Sequence, residues 1–385
     1  MWGSADFRFI LIEGEIMENF LENEENFGEL LPFIVDDSIT DVDWNGRQLW
    51  LTTNTNERRL VGKTEVNESF IRRFAQRIAN LNGCQFNKLN PVLEAETEDL
   101  RISILHDCRA TTGLSCCIRK TPPQNRITSK KAVETNYCEE KLLHLLANCV
   151  KAHMNIVICG EPKAGKTELA KYLSMFIPEE ERVYTIEDVQ EWHYAQLKPQ
   201  ADCVQIRIGE GFSYTDAIRA SLKQNPRWLC ITETRGNEVR ELIKGFSTGV
   251  SGMTTLHTDD VTKVPGRMVN MVEDDIDMVR FENNVYEFID VAVLVTIHMD
   301  GAGRRFRRIS QVGFFTRDLH REKGTCHVIY SEGRFVTDFL PPEIQRKMSE
   351  AKVENPFFNV EVKNNIEEPE MKGIGASRGN YRGRM

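Results

Sequence analysis

Residues 160–167 have the residue types and the spacing of a phosphate-binding loop. The segment GEPKAGKT follows the apolar run MNIVIC and precedes a helix-forming segment. Glycines let backbone N–H groups curl around phosphate oxygens, Lys166 supplies a compact positive charge, and Thr167 offers a hydroxyl to Mg²⁺. A surface loop that merely contains Gly and Lys is the alternative, and the flanking strand and helix disfavour it. The predicted nucleotide-binding residues of this loop are Gly160, Glu161, Pro162, Lys163, Ala164, Gly165, Lys166, Thr167 and Glu168.

Two later apolar segments end on carboxylates. RWLCITE ends on Glu233, and VYTIED ends on Glu187 and Asp188. The carboxyl ends of parallel strands meet at one edge of a sheet, where a carboxylate can hold hydrated Mg²⁺ and polarise an attacking water. We therefore predict Glu233 as the residue that activates water, with Glu187 and Thr167 as further metal-site residues. Each acid taken alone could also be an ordinary solvated strand end.

The elements that must position these residues follow from the pattern of apolar residues. Beyond Asn136, strands and helices alternate, which predicts an α/β domain with a mostly parallel sheet covered on both faces. After Asp290 the strands become antiparallel in pattern. Before this domain, a hairpin around Asn45-Gly46, a helix and further strands predict a smaller α+β domain. The predicted organisation is an acidic N-terminal arm (1–29), the α+β domain (30–120), a proline-marked linker (121–136), the P-loop domain (137–365) and a disordered tail (366–385).

Composition limits the function classes. The 385 residues are 41% hydrophobic and 28% charged with a net charge of −9, which disfavours attraction of the whole surface to nucleic acid or anionic lipid. The sequence has neither an apolar run of about 20 residues nor a basic N-terminal leader, so we expect a cytoplasmic protein. None of the ten cysteines is arranged as C-x2-C, which disfavours a zinc site or a disulfide framework.

Four consecutive segments resemble the motifs of secretion-superfamily ATPases, the hexameric motors of type II and type IV secretion, conjugation and type IV pili. After the P-loop, TIEDVQEW resembles their acidic box, AIRASLKQNPRWLCITETRG their Walker B segment, and STGVSGMTTLHTDD their histidine box. In the first domain, RISILHDCRATTGLSCCIRKTPP is most similar to the Flp/Tad-pilus branch. The resemblance runs from about Leu30 to about Tyr330 and implies a RecA-like P-loop domain.

The resemblance also implies roles for residues that chemistry alone would leave open. Arg101 and Arg119 would approach the nucleotide from the N-terminal domain, Arg219 and Arg235 would complete a charge cage, and His257 would sense the terminal phosphate. Guanidinium groups stabilise a transferring phosphoryl group, so these roles are physically sensible. Without the motifs, surface ion pairs and a hydrogen-bonded core histidine would be the simpler interpretations.

The implied function is an ATP-hydrolysing hexameric ring that uses Mg²⁺. It would power pilus assembly or secretion through an inner-membrane platform protein, at the inner face of the cytoplasmic membrane and without direct binding of nucleic acid. Three departures bear on its hydrolysis rate: Val250 replaces a histidine of the box, Lys223 replaces a frequent arginine, and Lys163 replaces a frequent glycine.

Three alternatives stay open. The departures suit a nucleotide-gated scaffold with weak hydrolysis. A conjugation ATPase shares the same motifs. A nucleic-acid motor shares the RecA-like ring, although the acidic charge balance weighs against it and the basic run at 304–308 alternates sides on a predicted hairpin.

Overall fold

The computed structural model describes residues 24–97, 99–273, 277–301, 303, 305–318 and 323–358. Most of the predicted acidic arm and the whole predicted tail, 366–385, lie outside these residues. The described chain builds two sheets, one of six strands and one of nine. Within the described residues, no helix combines the length and the apolar character that crossing a membrane requires.

The N-terminal sheet is antiparallel throughout, in the order β3-β2-β1-β6-β5-β4. Its first hairpin turns at Asn45, whose side-chain oxygen accepts the N–H groups of Arg47 and Gln48 at 3.0 and 2.8 Å. This turn agrees with the prediction at Asn45-Gly46. The elements are helices α1 (Glu24–Phe27), α2 (Leu31–Val35) and α3 (Glu68–Leu81) and strands β1 (Ile39–Trp44), β2 (Leu49–Thr53), β3 (Arg58–Leu60), β4 (Val92–Glu96), β5 (Leu100–Leu105) and β6 (Ser115–Lys120).

Helix α3 covers this sheet because one side of it is apolar. Its N-terminus is capped by Asn67, whose side chain accepts the N–H of Phe70 at 3.0 Å. Ile71, Phe74 and Ile78 are buried against the sheet, as their helical spacing predicts. Phe27 joins the same core with its ring 5.7 Å from that of Phe74, so the described end of the predicted acidic arm is packed in this domain.

A short helix lies inside the segment that we predict as a linker, 121–136. This helix, α4 (Ser129–Glu134), is capped by the Thr128 hydroxyl, which accepts the N–H of Lys131. Ala132 is buried in the core of the following region, which ties the end of the linker to that region. The exact domain boundaries stay a prediction.

The second sheet has the order β15-β14-β13-β12-β7-β11-β10-β8-β9. The six strands from β12 to β9 pair in parallel, whereas β13, β14 and β15 add antiparallel pairs. This arrangement confirms the predicted α/β class. The predicted change to antiparallel strands after Asp290 begins one strand later, because β12 still pairs in parallel with β7 and is antiparallel only to β13. The strands are β7 (Ile156–Cys159), β8 (Val183–Glu187), β9 (Cys203–Arg207), β10 (Trp228–Ile231), β11 (Ser251–Leu256), β12 (Val291–Met299), β13 (Arg305–Asp318), β14 (Lys323–Ser331) and β15 (Arg334–Phe335).

Helices cover both faces of this sheet, because alternate residues of its strands point to opposite sides. On β7, Ile156 and Ile158 belong to one apolar cluster, and Val157 and Cys159 to another. The helices are α5 (Glu140–Lys151), α6 (Lys166–Ser174), α7 (Tyr194–Leu197), α8 (Tyr214–Ser221), α9 (Glu238–Ser247), α10 (Val264–Val269), α11 (Met278–Phe288) and α12 (Pro342–Glu350). The register brings the carboxyl ends of β7, β11, β10 and β8 to one edge of the sheet.

Candidate functional site

The predicted phosphate-binding loop connects β7 to α6 at this edge. Gly160 has φ +148°, and a Cβ there would lie 2.1 Å from the carbonyl oxygen of Val295 on β12. Gly165 has φ +93° and stands at the N-terminus of α6. Glycine is therefore required at both ends of the loop, at one end by close packing and at the other by a left-handed backbone. The N-terminus of α6 gives the loop a positive dipole end, which favours phosphate.

Lys163 adopts a left-handed conformation although it is not a glycine, with φ +65°. A non-glycine residue there costs about 1–2 kcal/mol. The following N–H, that of Ala164, donates to the carbonyl oxygen of Glu161 at 3.2 Å. The loop thus turns as a glycine would allow at position 163, at a cost that neighbouring contacts must offset.

The ammonium group of Lys166 lies among polar atoms of the loop. Its Nζ donates to the carbonyl oxygens of Gly160 and Glu161 at 3.2 and 3.1 Å and lies 3.2 Å from His257 Nδ1. Burial lowers the pKa of Lys166, although the nearby carboxylate of Glu233 opposes this effect. Three polar neighbours hold the positive charge where the loop closes on itself.

His257 and Glu233 continue this chain of contacts. His257 Nδ1 lies 3.0 Å from the carbonyl oxygen of Gly160, and its Nε2 lies 2.9 Å from Glu233 Oε1. Arg235 donates to the other oxygen of Glu233 at 2.7 Å and lies 3.6 Å from Asp188. Burial opposes ionisation of Glu233, but the hydrogen bond and charge of Arg235 and the charges of His257 and Lys166 outweigh it. The pKa of Glu233 therefore lies below its ordinary value.

Glu187 lies deeper, at the end of β8. Its Oε2 accepts the backbone N–H groups of Glu191 and Trp192, both at 2.9 Å. Burial raises the pKa of Glu187 to about 7. The Trp192 indole donates to the hydroxyl of Ser174 on α6 at 3.0 Å. Glu187 thus holds the turn of the acidic segment, TIEDVQEW (residues 185–192). This turn contacts α6, the helix that follows the phosphate loop.

That turn brings Glu191 to the phosphate loop, which sequence analysis did not foresee. The hydroxyl of Thr167 donates to Glu191 Oε2 at 3.4 Å. Burial raises the pKa of Glu191, and the positive charges of Arg119 and Lys171 only partly oppose this rise. The only trace in the sequence is a further acid in TIEDVQEW, four residues after Glu187.

The predicted N-terminal arginines stand side by side on neighbouring strands of that sheet, with a carboxylate on either side of the pair. The paired register places Asp41, Arg119, Arg101 and Glu96 side by side on four strands. Arg119 contacts Asp41 at 2.9 Å, and Arg101 contacts Glu96 at 3.9 Å. Glu96 also pairs with Arg207 of β9 at 2.7 Å, which links the two sheets.

The other predicted residues therefore lie in three places: at the sheet edge, in the N-terminal sheet and on α8. The phosphate loop, Glu233, Arg235 and His257 meet at the sheet edge, and the charge of Arg119 acts on Glu191 beside them. Arg101 stays within its own sheet. Arg219 lies on α8 and is more than half exposed, where it pairs with Glu241 of α9 at 2.9 Å.

The oxygen donors at this edge fit the coordination preference of Mg²⁺. The Thr167 hydroxyl and the ionised Glu233 are hard oxygen ligands, and substrate phosphates complete the coordination of Mg²⁺ in such sites. Glu187 Oε2 already accepts two backbone N–H groups. Of the three metal-site residues predicted from the sequence, Thr167 and Glu233 are thus the better placed.

A family model described as type II/IV secretion system protein matches residues 75–349. The chain belongs to this family. It is a member of the secretion ATPase superfamily, as its motifs indicate. Its relatives include an uncharacterized protein of Bacillus anthracis, 29% identical over 84% of this chain and 76% of that protein. A candidate conjugal transfer protein of Mycobacterium tuberculosis is 26% identical over 72% of this chain and 82% of that protein.

Solved structures support the fold. The ATPase DotB of Legionella pneumophila matches with a TM-score of 0.55 and 16% identity over 82% of this chain and 86% of that one. The pilus retraction motor PilT with bound ADP matches with a TM-score of 0.57 and 14% identity over 84% of this chain and 86% of that one. The family member thus has the fold of known secretion and pilus ATPases.

Proposed function

We propose that this protein hydrolyses ATP as a homo-oligomeric ring, a hexamer, and that the ring drives a membrane-bound machine. The observation that carries the proposal is the run of contacts from Lys166 through His257 to Glu233, with Thr167 beside Glu191 at the same sheet edge. Phosphoryl transfer needs little beyond positioning and charge neutralisation, and these groups can supply both.

The two carboxylates nearest the loop differ in a way that assigns them different tasks. Glu233 has a lowered pKa and stays ionised, so it suits the metal site and orients His257. Glu191 has a raised pKa, so it is the better acceptor for the proton of the attacking water. Glu187 acts through Glu191, because its bonds to the backbone hold that residue in place. Glu233 as the activating residue, predicted from the sequence, is the competing assignment.

The remaining groups complete the charge balance. Lys166 and the loop N–H groups bind the phosphates, and Mg²⁺ on Thr167 and Glu233 neutralises phosphate oxygens when it is bound. Arg119, whose charge already acts on Glu191, reaches the terminal phosphate from the N-terminal domain when the domains close. Arg101 would follow on further closure of the domains. Arg219 and Arg235 complete the cage, and for Arg219 this requires that it leave Glu241.

The machine is a pilus of Flp/Tad type or a related secretion system, in which the ring pushes a platform protein at the inner face of the cytoplasmic membrane. The Flp/Tad-like segment of the first domain supports this assignment. Conjugation is the second candidate, favoured by the Mycobacterium tuberculosis relative. Genes for pilins and platform proteins beside this one would support the pilus, and a relaxase gene would support conjugation.

ATP turnover and sedimentation across a dilution series test the ring motor. Specific activity should rise with protein concentration as rings form, and ATP should shift assembly to lower concentrations by mass action. A monomer with constant specific activity would exclude the ring, and a ring without turnover would leave the scaffold alternative.

A further inference from the structure

The guanidinium group of Arg307, on β13, contacts both the phosphate loop and the N-terminal sheet. Its Nε donates to the carbonyl oxygen of Lys163 at 3.1 Å. Its Nη1 donates to the carbonyl oxygen of Asn54 at 2.9 Å, and its Nη2 to the side-chain oxygen of Asn56 at 2.7 Å. Both asparagines lie in the turn between β2 and β3. One planar group thus joins two loops that are far apart in the chain.

On the phosphate side, Arg307 meets the loop at residues with a left-handed backbone, Lys163 and Gly165. Lys163, whose carbonyl accepts the hydrogen bond, has φ +65°. A Cβ on Gly165 would lie 3.3 Å from Arg307 Cδ, so the stem of the arginine packs against that glycine. A charge-assisted hydrogen bond of this kind can offset the cost of the left-handed lysine. Arg307 therefore supports the loop in the shape that it has.

On the N-terminal side, the acceptors belong to a tight turn. Asn56 has φ +61°, which asparagine tolerates better than most residues, and its N–H donates to the Thr53 carbonyl oxygen at 2.9 Å. The turn presents one backbone and one side-chain oxygen to the same guanidinium. Arginine offers five donors in a rigid plane, which a lysine ammonium cannot reproduce.

We propose that Arg307 is a positioning residue that makes nucleotide affinity depend on the contact between the phosphate loop and the N-terminal β2–β3 turn. The inference rests on the proposed binding of nucleotide at this loop. The guanidinium holds the loop through the carbonyl oxygen of Lys163. This support is the same when the loop binds the substrate and when it binds the transition state. Its loss therefore weakens nucleotide binding more than it slows the chemical step.

Titration with a fluorescent ADP analogue, together with steady-state kinetics, tests this role. Arg307→Ala should raise the Kd for ADP about tenfold and change kcat less than about threefold. Arg307→Lys should recover less than half of the lost affinity on a logarithmic scale, because the three-way fork is gone. Arg305→Ala is the matched control: this arginine is exposed on the same strand, and its removal should leave the Kd unchanged.

A second pair of variants tests the N-terminal end of the contact and stays informative if Arg307→Ala does not fold. Asn56→Gly keeps the left-handed backbone but removes the acceptor, and it should raise the Kd for ADP about threefold. Asn56→Asp keeps an acceptor and should bind ADP at least as tightly as the unaltered protein. In the double variant, the effects of Arg307→Ala and Asn56→Gly should be clearly less than additive.

The outcomes separate this inference from the proposed function. If the unaltered protein and Arg305→Ala bind no nucleotide, the proposed function fails. If both bind nucleotide and folded Arg307→Ala binds it equally well, the positioning role is overturned. Additive effects of the two substitutions, or a fall in kcat with an unchanged Kd, would also overturn it.

Discussion

The two sides of the nucleotide site hold their charges in different ways. On the side of the nine-stranded sheet, Lys166 is held by carbonyl oxygens of its own loop, and Glu233 lies between His257 and Arg235. On the side of the N-terminal sheet, Arg119 and Arg101 are paired with carboxylates of neighbouring strands. The first side is arranged to receive phosphate, whereas the second must exchange a carboxylate for a phosphate.

This exchange leaves a buried carboxylate behind. The Arg119 side chain is 38% exposed but that of Asp41 only 11%, and Asp41 keeps a hydrogen bond from the hydroxyl of Thr40 at 2.8 Å. A phosphate with several negative charges is a stronger partner for a guanidinium than one carboxylate. The nine-stranded sheet thus provides the groups that bind phosphate, and the N-terminal sheet provides the arginines that respond to bound phosphate.

The largest effect should come from the side of the nine-stranded sheet, which binds phosphate. Lys166→Ala removes the charge that the loop carbonyls hold in place, so we expect ATP binding to weaken at least about 100-fold and turnover to disappear. Lys151→Ala, on the exposed end of α5, serves as the control. Titration with ATP and a phosphate-release assay measure both quantities. If Lys166→Ala bound ATP within about threefold of the unaltered protein, this side of the site would not be the one that binds phosphate.

Next in size are the two carboxylates at the sheet edge. Glu191→Gln and Glu233→Gln should each keep ATP bound and lower turnover, by about 100- to 10,000-fold for the residue that accepts the proton. We expect the larger loss for Glu191, because its pKa lies above the ordinary value whereas that of Glu233 lies below it. Single-turnover kinetics with bound ATP distinguish the two. If both variants kept most of their turnover, neither residue would be the base.

A smaller loss of turnover is expected on the side of the N-terminal sheet. Arg119→Ala should lower kcat about 10- to 100-fold and raise KM less than about threefold, because the arginine reaches phosphate only after the domains close. Arg101→Ala should act in the same direction. Asp41→Asn keeps Arg119 and should retain turnover within about threefold. Small-angle scattering should show less ATP-dependent compaction in Arg119→Ala, and an equal loss of affinity with unchanged compaction would refute the assignment.

The last effect is on stability, through its dependence on pH, and no loss of turnover is part of it. The pKa of Glu187 is about 7 in the fold against an ordinary 4.5, so the folded state binds more protons than the unfolded state between these values. Stability from this group is therefore complete below about pH 4.5 and is lost as the pH rises to about 7. At roughly 1.36 kcal/mol per pKa unit, the loss over this interval is on the order of 3 kcal/mol.

Glu187→Gln keeps an oxygen for the two backbone N–H groups and removes the titration. Urea unfolding at several pH values should show that this variant has the flatter profile. Parallel profiles for the variant and the unaltered protein would mean that Glu187 is ionised without cost in the fold.

Much of this architecture could be predicted from the sequence, because its causes are local. A phosphate loop depends on the strand before it, the glycines within it and the helix after it, and all three are contiguous. The same holds for the acids that follow β8 and β10, and for the hairpin at Asn45. The α/β class follows from the alternation of strands and helices.

The remaining features depend on contacts between distant parts of the chain. Glu191 reaches Thr167 because Glu187 and a left-handed His193 shape the turn between them, which no periodicity encodes. Arg307 meets Lys163 across a separation of 144 residues. The pairing of Arg219 with Glu241 likewise depends on how α8 packs beside α9.

Trp192 turns the acidic segment into an optical reporter. Its indole is fully buried, makes one described hydrogen bond to Ser174, and follows Glu191 directly in the chain. Any shift of α6 when phosphate enters the loop must alter the surroundings of that ring. The difference in emission between the unaltered protein and Trp192→Phe would isolate its fluorescence from that of the other four tryptophans. Stopped-flow recordings of this difference would follow the acidic segment in real time, without any attached dye.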